Sequence, residues 1–340
     1  MIDYKISYVV TTYNKLPYLK QVMERLVAAR QPDEEIVVAD GGSKDGTPAY
    51  LRGLFDAGLI QQYVSERDKG EAHGFNKCML MARGELIKII TDDDAFCYPA
   101  IREAADFMLS RPEVDVLCAN SGQLYINDLS IINLYAYSRN NYLKWYKDST
   151  VTIMLGLPLI IRRSSLSLTG LFNTNAVLVD TEFTARITAL DVNIGWSSAM
   201  LSVRIDNPDS NFNKYDAALR DEEAARVMYY YDKSFRNDPA SILWQRIPLK
   251  EWLNKPVEWL KKPIRPAKDA IFRLLDIPLW KPEVIPAFPT DYNKDTVDDP
   301  IITAFQLADN CMANFNAAHA TEFVFKTSTS DIVKVLPISQ

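Results

Sequence analysis

Short apolar runs alternate with amphipathic stretches along the first quarter of the chain. The runs have the length of buried strands, and the stretches between them repeat apolar residues at the three-to-four-residue spacing of a helix. The elements predicted from this pattern are, in order, strand 6–10, helix 16–30, strand 35–39, helix 48–56, strand 61–65, helix 70–83 and strand 86–90. Such alternation is typical of a doubly wound, mostly parallel, twisted sheet flanked by helices. We therefore predict an α/β fold.

Three consecutive carboxylates follow the last of these strands, namely Asp92, Asp93 and Asp94. In open α/β sheets, ligands bind outside the carboxyl ends of the strands. Pro99 follows closely and can start a helix, and acidic residues also suit a helix N-terminus. These residues by themselves leave two interpretations open, a cation site and a solvated helix cap.

The loops after the first two strands carry further candidate ligands. The first strand leads into TTYNK at 11–15 and the second into DGGSKDGT at 40–47. Glycine and aspartate in such a segment favour a tight turn that exposes carboxylates and backbone N–H groups. Asp40 alone suits a turn cap better than a ligand site. Before the third helix, Arg67 and Lys69 lie beside a positive dipole end, which suits a diphosphate or a solvated charged loop.

Composition narrows the chemistry that these residues can carry. The net charge of −6 gives no general attraction to nucleic acid, so we expect no nucleic-acid partner. The cysteines at 78, 97, 118 and 311 have no CxxC spacing, which disfavours a zinc site or a disulfide framework and favours a reducing compartment. Because the chain has only 2 histidines, carboxylates must bind any metal, and we expect Mn²⁺ or Mg²⁺ as cofactor.

Several spaced motifs occur in one order: DKG at 68–70, Asn-Lys at 76–77, Arg-Gly-Glu at 83–85, an apolar strand and then the Asp cluster. Together with the TTYN and Asp40 loops, this order resembles the nucleotide-sugar half of family 2 glycosyltransferases, which have a GT-A fold. The resemblance implies that Thr11, Tyr13 and Asp40 bind the nucleotide, and a carboxylate such as Asp40 can accept the N3–H of a uracil. On this basis we expect Arg67 and Lys69 at the diphosphate, Asp92 and Asp93 at the ribose, and Asp94 and Asp92 at the metal.

A second group of motifs continues the resemblance: RRS at 162–164, LFN at 171–173 and DTEFTAR at 180–186. The aspartate of the last motif is the usual catalytic base in the family, which is Asp180 here, and Glu182 is the nearby competitor. Asp180 also lies at or near the N-cap of the helix that it begins. The sequence departs from the family pattern at His73, Cys78, Asn173 and Asn207. The last of these stands near the place where a histidine often completes the metal shell, so the third protein ligand is open.

The resemblance implies metal-dependent transfer of a sugar from a nucleoside diphosphate donor to an acceptor hydroxyl of a glycan or glycolipid, with inversion. UDP is favoured as the nucleotide, while GDP and dTDP stay open. A sugar nucleotidyltransferase is one alternative, but that class has a glycine-rich loop after the first strand, which residues 11–15 lack. A non-catalytic nucleotide-sugar binding module is the other, and Asp180 argues against it.

The resemblance covers residues 1–215, which we predict to form a GT-A catalytic domain. Residues 216–340 are predicted as a C-terminal accessory region, mainly helical and then irregular. Within it, the segment 244–281 alternates tryptophan with lysine and arginine, which suits a peripheral membrane contact and packing on the catalytic domain equally well. No apolar run reaches the ~18 residues of a membrane span, and the N-terminus lacks the features of a signal peptide. We expect a cytoplasmic protein, peripheral at the inner membrane face if that contact forms.

Overall fold

The computed structural model describes residues 4–210, 213, 215–237, 287–293 and 297–325. In this part of the chain, one mixed sheet of 11 strands forms the centre. The strands are β1 Ile6–Thr12, β2 Glu34–Asp40, β3 Gln62–Ser65, β4 Leu86–Ile90, β5 Ala95–Phe96, β6 Val116–Tyr125, β7 Asp128–Leu134, β8 Ile160–Arg162, β9 Ile194–Asp206, β10 Ala287–Pro289 and β11 Phe323–Phe325.

Helices accompany the sheet along the whole described chain. They are α1 Leu16–Ala29, α2 Thr47–Asp56, α3 Glu71–Met81, α4 Tyr98–Ser110, α5 Ala136–Asp148, α6 Leu166–Thr169, α7 Val179–Ala189, α8 Ala217–Tyr231, α9 Lys233–Asn237 and α10 Pro300–Ala318. The seven elements predicted for the first ninety residues all occur, and their ends differ from the prediction by a few residues. Helix and strand periodicity therefore identified this part of the fold correctly.

The longest path through the sheet runs in the order β10-β7-β6-β8-β4-β1-β2-β3. At one end, β4, β1, β2 and β3 are mutually parallel, as predicted for an α/β fold. β8 lies antiparallel between β4 and β6, so the sheet as a whole is mixed. β9 runs parallel to β6 and has β5 and β11 as antiparallel partners. The carboxyl ends of β1, β2 and β4 lie at one edge, where the predicted site loops begin.

Apolar side chains cover both faces of the sheet. On β1, Tyr8 and Val10 join a core that includes residues of α1, α4 and α10. Val9, between them, joins the opposite core, which includes residues of α3, α5 and α7. All of β1 is buried, because helices cover both faces, as is usual for parallel strands. The three layers fix the strand ends that carry the site.

The described C-terminal residues contain two short strands and one long helix. Here β10 pairs with β7, β11 pairs with β9, and α10 is a helix of 19 residues that packs against the sheet. The buried residues of α10 have the spacing of one helix face, and they are Ala304, Phe305, Ala308 and Met312. Asn316 fastens this helix to β9, because its side chain accepts from Met200 N at 2.8 Å and donates to Met200 O at 3.0 Å. The described C-terminal residues thus share the core of the sheet.

Two other predictions concern the region after residue 215. The segment 244–281, rich in tryptophan and lysine, lies outside the described residues. Among the residues that are described, no helix is both long and apolar enough to span a membrane.

α8 packs against α7, the helix that carries the predicted base.

Candidate active site

The three aspartates after β4 are buried, and two of them contact a buried lysine. Asp92, Asp93 and Asp94 are each at most 7% exposed. The Nζ of Lys15 lies 2.6 Å from Asp93 Oδ2 and 3.4 Å from Asp92 Oδ1. Burial raises the pKa of Asp92 to about 6, although the charge of Lys15 lowers it. Burial also acts to lower the pKa of Lys15, but the carboxylates outweigh it and hold this pKa above its ordinary value.

Asp94 faces a different set of partners from its two neighbours. Its Oδ2 accepts a hydrogen bond from Thr91 Oγ1 at 2.6 Å, and its Oδ1 accepts one from the backbone N–H of Ile205 at 2.8 Å. Burial, together with the charge of Asp93, raises the pKa of Asp94 to about 7. Asp94 therefore connects the end of β4 to β9.

Asn207 lies beside the aspartates. Its Nδ2 donates to Asp93 Oδ2 at 2.9 Å and to Ile205 O at 3.0 Å. The Oδ1 atom accepts from Asp209 N at 3.0 Å. In this arrangement Asn207 presents a donor to the carboxylates, where a metal ligand would present a lone pair.

Carboxylate oxygens at this strand end are the ligands that Mg²⁺ and Mn²⁺ prefer. Among the described residues, no group of three or more His, Cys, Asp or Glu side chains is arranged to hold a metal ion. The ammonium of Lys15 nevertheless contacts two of the carboxylates, so the site already accommodates a cation between them. The carboxylate oxygens are chemically suitable ligands for a divalent ion. In this structure, however, two of the carboxylates form an ion pair with Lys15.

The predicted nucleotide residues lie at the adjacent strand ends. Asp40 ends β2 and is fully buried, and its carboxylate accepts from Ser43 N at 3.0 Å and from Ser65 Oγ at 2.6 Å. Thr11 lies near the end of β1 and packs against Gly74 of α3. A Cβ added to Gly74 would lie only 2.1 Å from Thr11 Oγ1. A larger residue at position 74 would therefore push α3 away from β1.

The predicted diphosphate residues lie in the loop after β3. Arg67 and Lys69 are exposed. Between them, Asp68 accepts from Gly70 N at 2.9 Å, and its side chain lies against Gly41 of the loop after β2. The two loops are thus in contact, and the side chains of Arg67 and Lys69 are exposed to solvent at the start of α3. His73 accepts from Lys69 N at 3.1 Å through Nδ1, which is a structural contact of this turn.

Tyr13 and Asn173 occupy exposed positions at the edges of this region. Tyr13 directly follows β1 and is 52% exposed. Asn173 is also exposed, and its Oδ1 accepts from Asn175 N at 3.0 Å. The neighbouring Phe172 exchanges two hydrogen bonds with the side chain of Asn76, which joins α3 to this loop.

Asp180 is the second residue of α7, and the N-cap of this helix is Leu178. Its Oδ2 accepts from Gly156 N at 3.1 Å, and its Oδ1 accepts from the adjacent Thr181 N at 2.8 Å. A Cβ at Gly156 would lie 2.6 Å from the Cβ of Asp180, so only glycine permits this approach. Burial raises the pKa of Asp180, and these hydrogen bonds oppose the rise.

Two charged residues that the sequence did not single out connect Asp180 with the aspartates. Glu71 begins α3, and burial raises its pKa to about 7, with further increases from the charges of Asp92, Asp93 and Asp180. Arg204 on β9 pairs with Asp206 at 3.4 Å, and its charge acts on both Asp94 and Asp180. Glu71 and Arg204 therefore interact electrostatically with both Asp180 and the aspartates after β4.

Glu182 has a structural environment that differs from that of Asp180. Its carboxylate accepts from Arg186 Nε at 3.1 Å and from Tyr231 Oη at 2.6 Å. Arg186 also donates to the backbone oxygens of Thr169 and Leu171. Glu182 thus braces α7 against α8 and the loop after α6.

Comparisons with known proteins agree with the motifs. The family model described as glycosyl transferase family 2 matches residues 7–166. An uncharacterized glycosyltransferase of Nostoc sp. is 27% identical over 93 residues, which are 27% of this chain and 29% of that protein. The succinoglycan biosynthesis protein ExoO of Rhizobium meliloti is 25% identical over 129 residues, which are 38% of this chain and 34% of ExoO. The matched parts therefore span about a third of these two relatives.

A solved structure shares the fold. S. aureus TarS (residues 1–349), in complex with UDP-GlcNAc, superposes with a TM-score of 0.51 at 18% identity and covers 67% of this chain and 65% of the TarS chain. With the parallel strands and the motif order, these matches confirm the predicted family and GT-A fold. Residues 7–166 of this chain are a family 2 glycosyltransferase domain.

Proposed function

We propose that this chain transfers a sugar from a nucleoside diphosphate donor to an acceptor hydroxyl of a glycan or glycolipid, with inversion at the anomeric carbon. The observation that carries the proposal is the common site of Asp180 and the aspartates after β4. Glu71 and Arg204 each lie within electrostatic reach of both groups. A transferase needs a donor site and a base on the same cavity, and this arrangement supplies residues for each.

UDP is the proposed nucleotide. Asp40 is a buried carboxylate at a strand end, and a carboxylate can accept the N3–H of uracil. Thr11 lies beside it on β1, where its neighbour Thr12 is in register with Asp40. TarS, which shares the fold, binds UDP-GlcNAc in its solved complex. Tyr13 completes the proposed nucleotide contacts, and Arg67 and Lys69 supply positive charge for the diphosphate.

The proposed metal ligands are Asp94 and Asp92, with Asp92 and Asp93 at the ribose. A bound Mn²⁺ or Mg²⁺ would neutralise the charge that develops on the departing diphosphate. The carboxylates would bind that ion only when ionised, and burial opposes ionisation of both Asp92 and Asp94. Metal binding is therefore expected to release protons.

Asp180 is the proposed base. An acceptor hydroxyl is a weak nucleophile at neutral pH and needs a proton acceptor within hydrogen-bond reach. The hydrogen bonds from Gly156 and Thr181 hold the carboxylate in one orientation, and burial strengthens its affinity for a proton. Direct displacement assisted by one base gives inversion. Glu182 is committed to Arg186 and Tyr231, so it is a poorer candidate for this role.

Ligand-dependent thermal unfolding of the full chain tests the donor assignment. A ligand present at 100 times its Kd stabilises the folded state by about 2.7 kcal/mol. We expect UDP-sugars with Mn²⁺ to raise the unfolding temperature more than GDP- or dTDP-sugars do. Asp40→Asn should abolish this preference, while Asp33→Asn, a partly exposed carboxylate at the opposite end of β2, should leave it intact. Equal response to all three nucleotides in the wild type would contradict the UDP assignment.

A further inference from the structure

Lys15 is a buried lysine whose ammonium group lies among carboxylates. Its side chain is 6% exposed, and Nζ contacts Asp93 Oδ2 at 2.6 Å and Asp92 Oδ1 at 3.4 Å. Lysine is almost never buried unless it is paired. The ammonium therefore serves as the counter-ion of these two aspartates.

The backbone on either side of Lys15 is fastened to the loop that follows β2. Asn14 adopts a left-handed φ of 52°, and its N–H donates to Ser43 Oγ at 2.8 Å. Leu16 N donates to Asp45 Oδ2 at 2.9 Å. Lys15 thus joins the loop proposed for the nucleotide to carboxylates that are proposed for the ribose and the metal.

We propose that Lys15 is the resting counter-ion of Asp92 and Asp93, and that a divalent cation bound by Asp94 and Asp92 displaces its ammonium from this position. A buried charge that loses its partner is strongly destabilising, so displacement is unfavourable while no other anion is present. The inference rests on the proposed function, because a donor diphosphate would give the displaced ammonium a new anionic partner. Metal and nucleotide should then bind with positive coupling, and this coupling is reciprocal.

The test compares Mn²⁺ affinity with and without UDP by isothermal titration calorimetry of the full chain. Without nucleotide, Lys15→Met should bind Mn²⁺ at least ~10-fold more tightly than the wild type, since the competing cation is gone. Lys15→Arg, which keeps the charge, should stay near the wild type. With UDP present, the wild type should gain Mn²⁺ affinity, and Lys15→Met should gain much less. Unchanged or weaker Mn²⁺ binding by Lys15→Met would overturn the inference.

A second measurement uses the wild type and does not depend on folding of the variants. In a sample labelled with ¹⁵N-lysine, the Nζ signal of Lys15 should be protected from exchange and should shift when Mg²⁺ and UDP saturate the protein. An unchanged Lys15 signal in the saturated complex would also overturn the inference. Failure of the wild type to bind UDP would instead remove the proposed function, and the Mn²⁺ titrations without nucleotide would still decide whether Lys15 competes with the metal.

Discussion

Asn207 donates a hydrogen bond from Nδ2 to Asp93 Oδ2 over 2.9 Å, although 114 residues separate the two in sequence. The same amide nitrogen donates to Ile205 O at 3.0 Å. One side chain thereby joins the segment after β9 to the carboxylates after β4. The contact favours a neutral donor at position 207, because both facing atoms are acceptors.

Asn207→Asp should destabilise the metal-free protein. The new carboxylate would place an acceptor against both Asp93 Oδ2 and Ile205 O, and we expect a loss of about 2–5 kcal/mol in the free energy of unfolding. Asn207→Ala removes the same two hydrogen bonds without adding charge and should cost about 1–3 kcal/mol. Urea unfolding in EDTA measures both variants. If Asn207→Asp lost no more stability than Asn207→Ala, the facing acceptor atoms would not be the reason for an amide at position 207.

The metal-free protein should lose part of its stability as the pH rises from about 4 to about 7, the window between the ordinary pKa of an aspartate and the raised pKa of Asp94. In that window the folded state keeps a proton that the unfolded state has released, so a rise in pH favours unfolding. Asp94→Asn has no such proton. Its stability relative to the wild type should therefore increase between pH 5 and pH 7.5, by an amount on the order of 1–3 kcal/mol.

Urea unfolding of both proteins in EDTA at the two pH values gives this difference directly. Titrating groups distant from Asp94 are common to both proteins and cancel, so the comparison reports on Asp94 together with the adjacent carboxylates that interact with it. A difference that does not vary with pH would show that Asp94 is ionised in the folded state throughout this range.

Glu223 of α8 stabilises the start of α7. Its Oε1 accepts from Val177 N at 2.6 Å and from Leu178 N at 3.2 Å, and the residue is 4% exposed. Glu223→Ala leaves these N–H groups without that acceptor, so we expect a loss of about 1–3 kcal/mol in stability. Sugar transfer should fall as well, because Asp180 lies in the first turn of α7. The exposed Glu222 on the same helix provides the control, and Glu222→Ala should change stability by less than about 0.5 kcal/mol.

Phe305→Ala tests whether α10 is part of the catalytic fold. Phe305 is fully buried in the core that also contains residues of β1, and truncation should cost about 3–5 kcal/mol. Urea unfolding followed by circular dichroism should stay a single transition, shifted to lower urea. Ile302→Ala, on the exposed side of the same helix, should have a much smaller effect. A separate early transition in Phe305→Ala would mean that α10 unfolds independently of the sheet.

Much of the fold could be predicted because its signals are local. The apolar run of β4, the glycine-rich loop after β2 and the Asp cluster each lie within a few residues of sequence. The helix α10 carried an equally local signal, since Asp299 caps it, Pro300 begins it and its buried residues recur at helical spacing. That pattern is visible in the sequence.

The charged partners in the site come from segments that are far apart in sequence and meet only in the folded chain. No local sequence pattern therefore predicts them. Lys15 reaches Asp93 across 78 residues, and Arg204 reaches the site from the middle of a long strand. Asp180 was predicted from its motif, but its contact with Gly156 requires the fold. The sequence thus indicated Asp92, Asp93, Asp94 and Asp180, and the structure adds Glu71, Lys15 and Arg204 as their charged neighbours.

The most direct test of the proposed function is the rate at which Asp180→Asn releases UDP from a UDP-sugar in the presence of Mn²⁺ and an acceptor glycan. If Asp180 is the base, this rate should fall by ~10²-fold or more, while the Kd for UDP stays within about twofold of the wild-type value. Glu182→Gln is the matched control, and its loss of rate should follow its loss of stability. Near-normal turnover by Asp180→Asn, with a large loss in Glu182→Gln, would contradict the account and assign the base to Glu182.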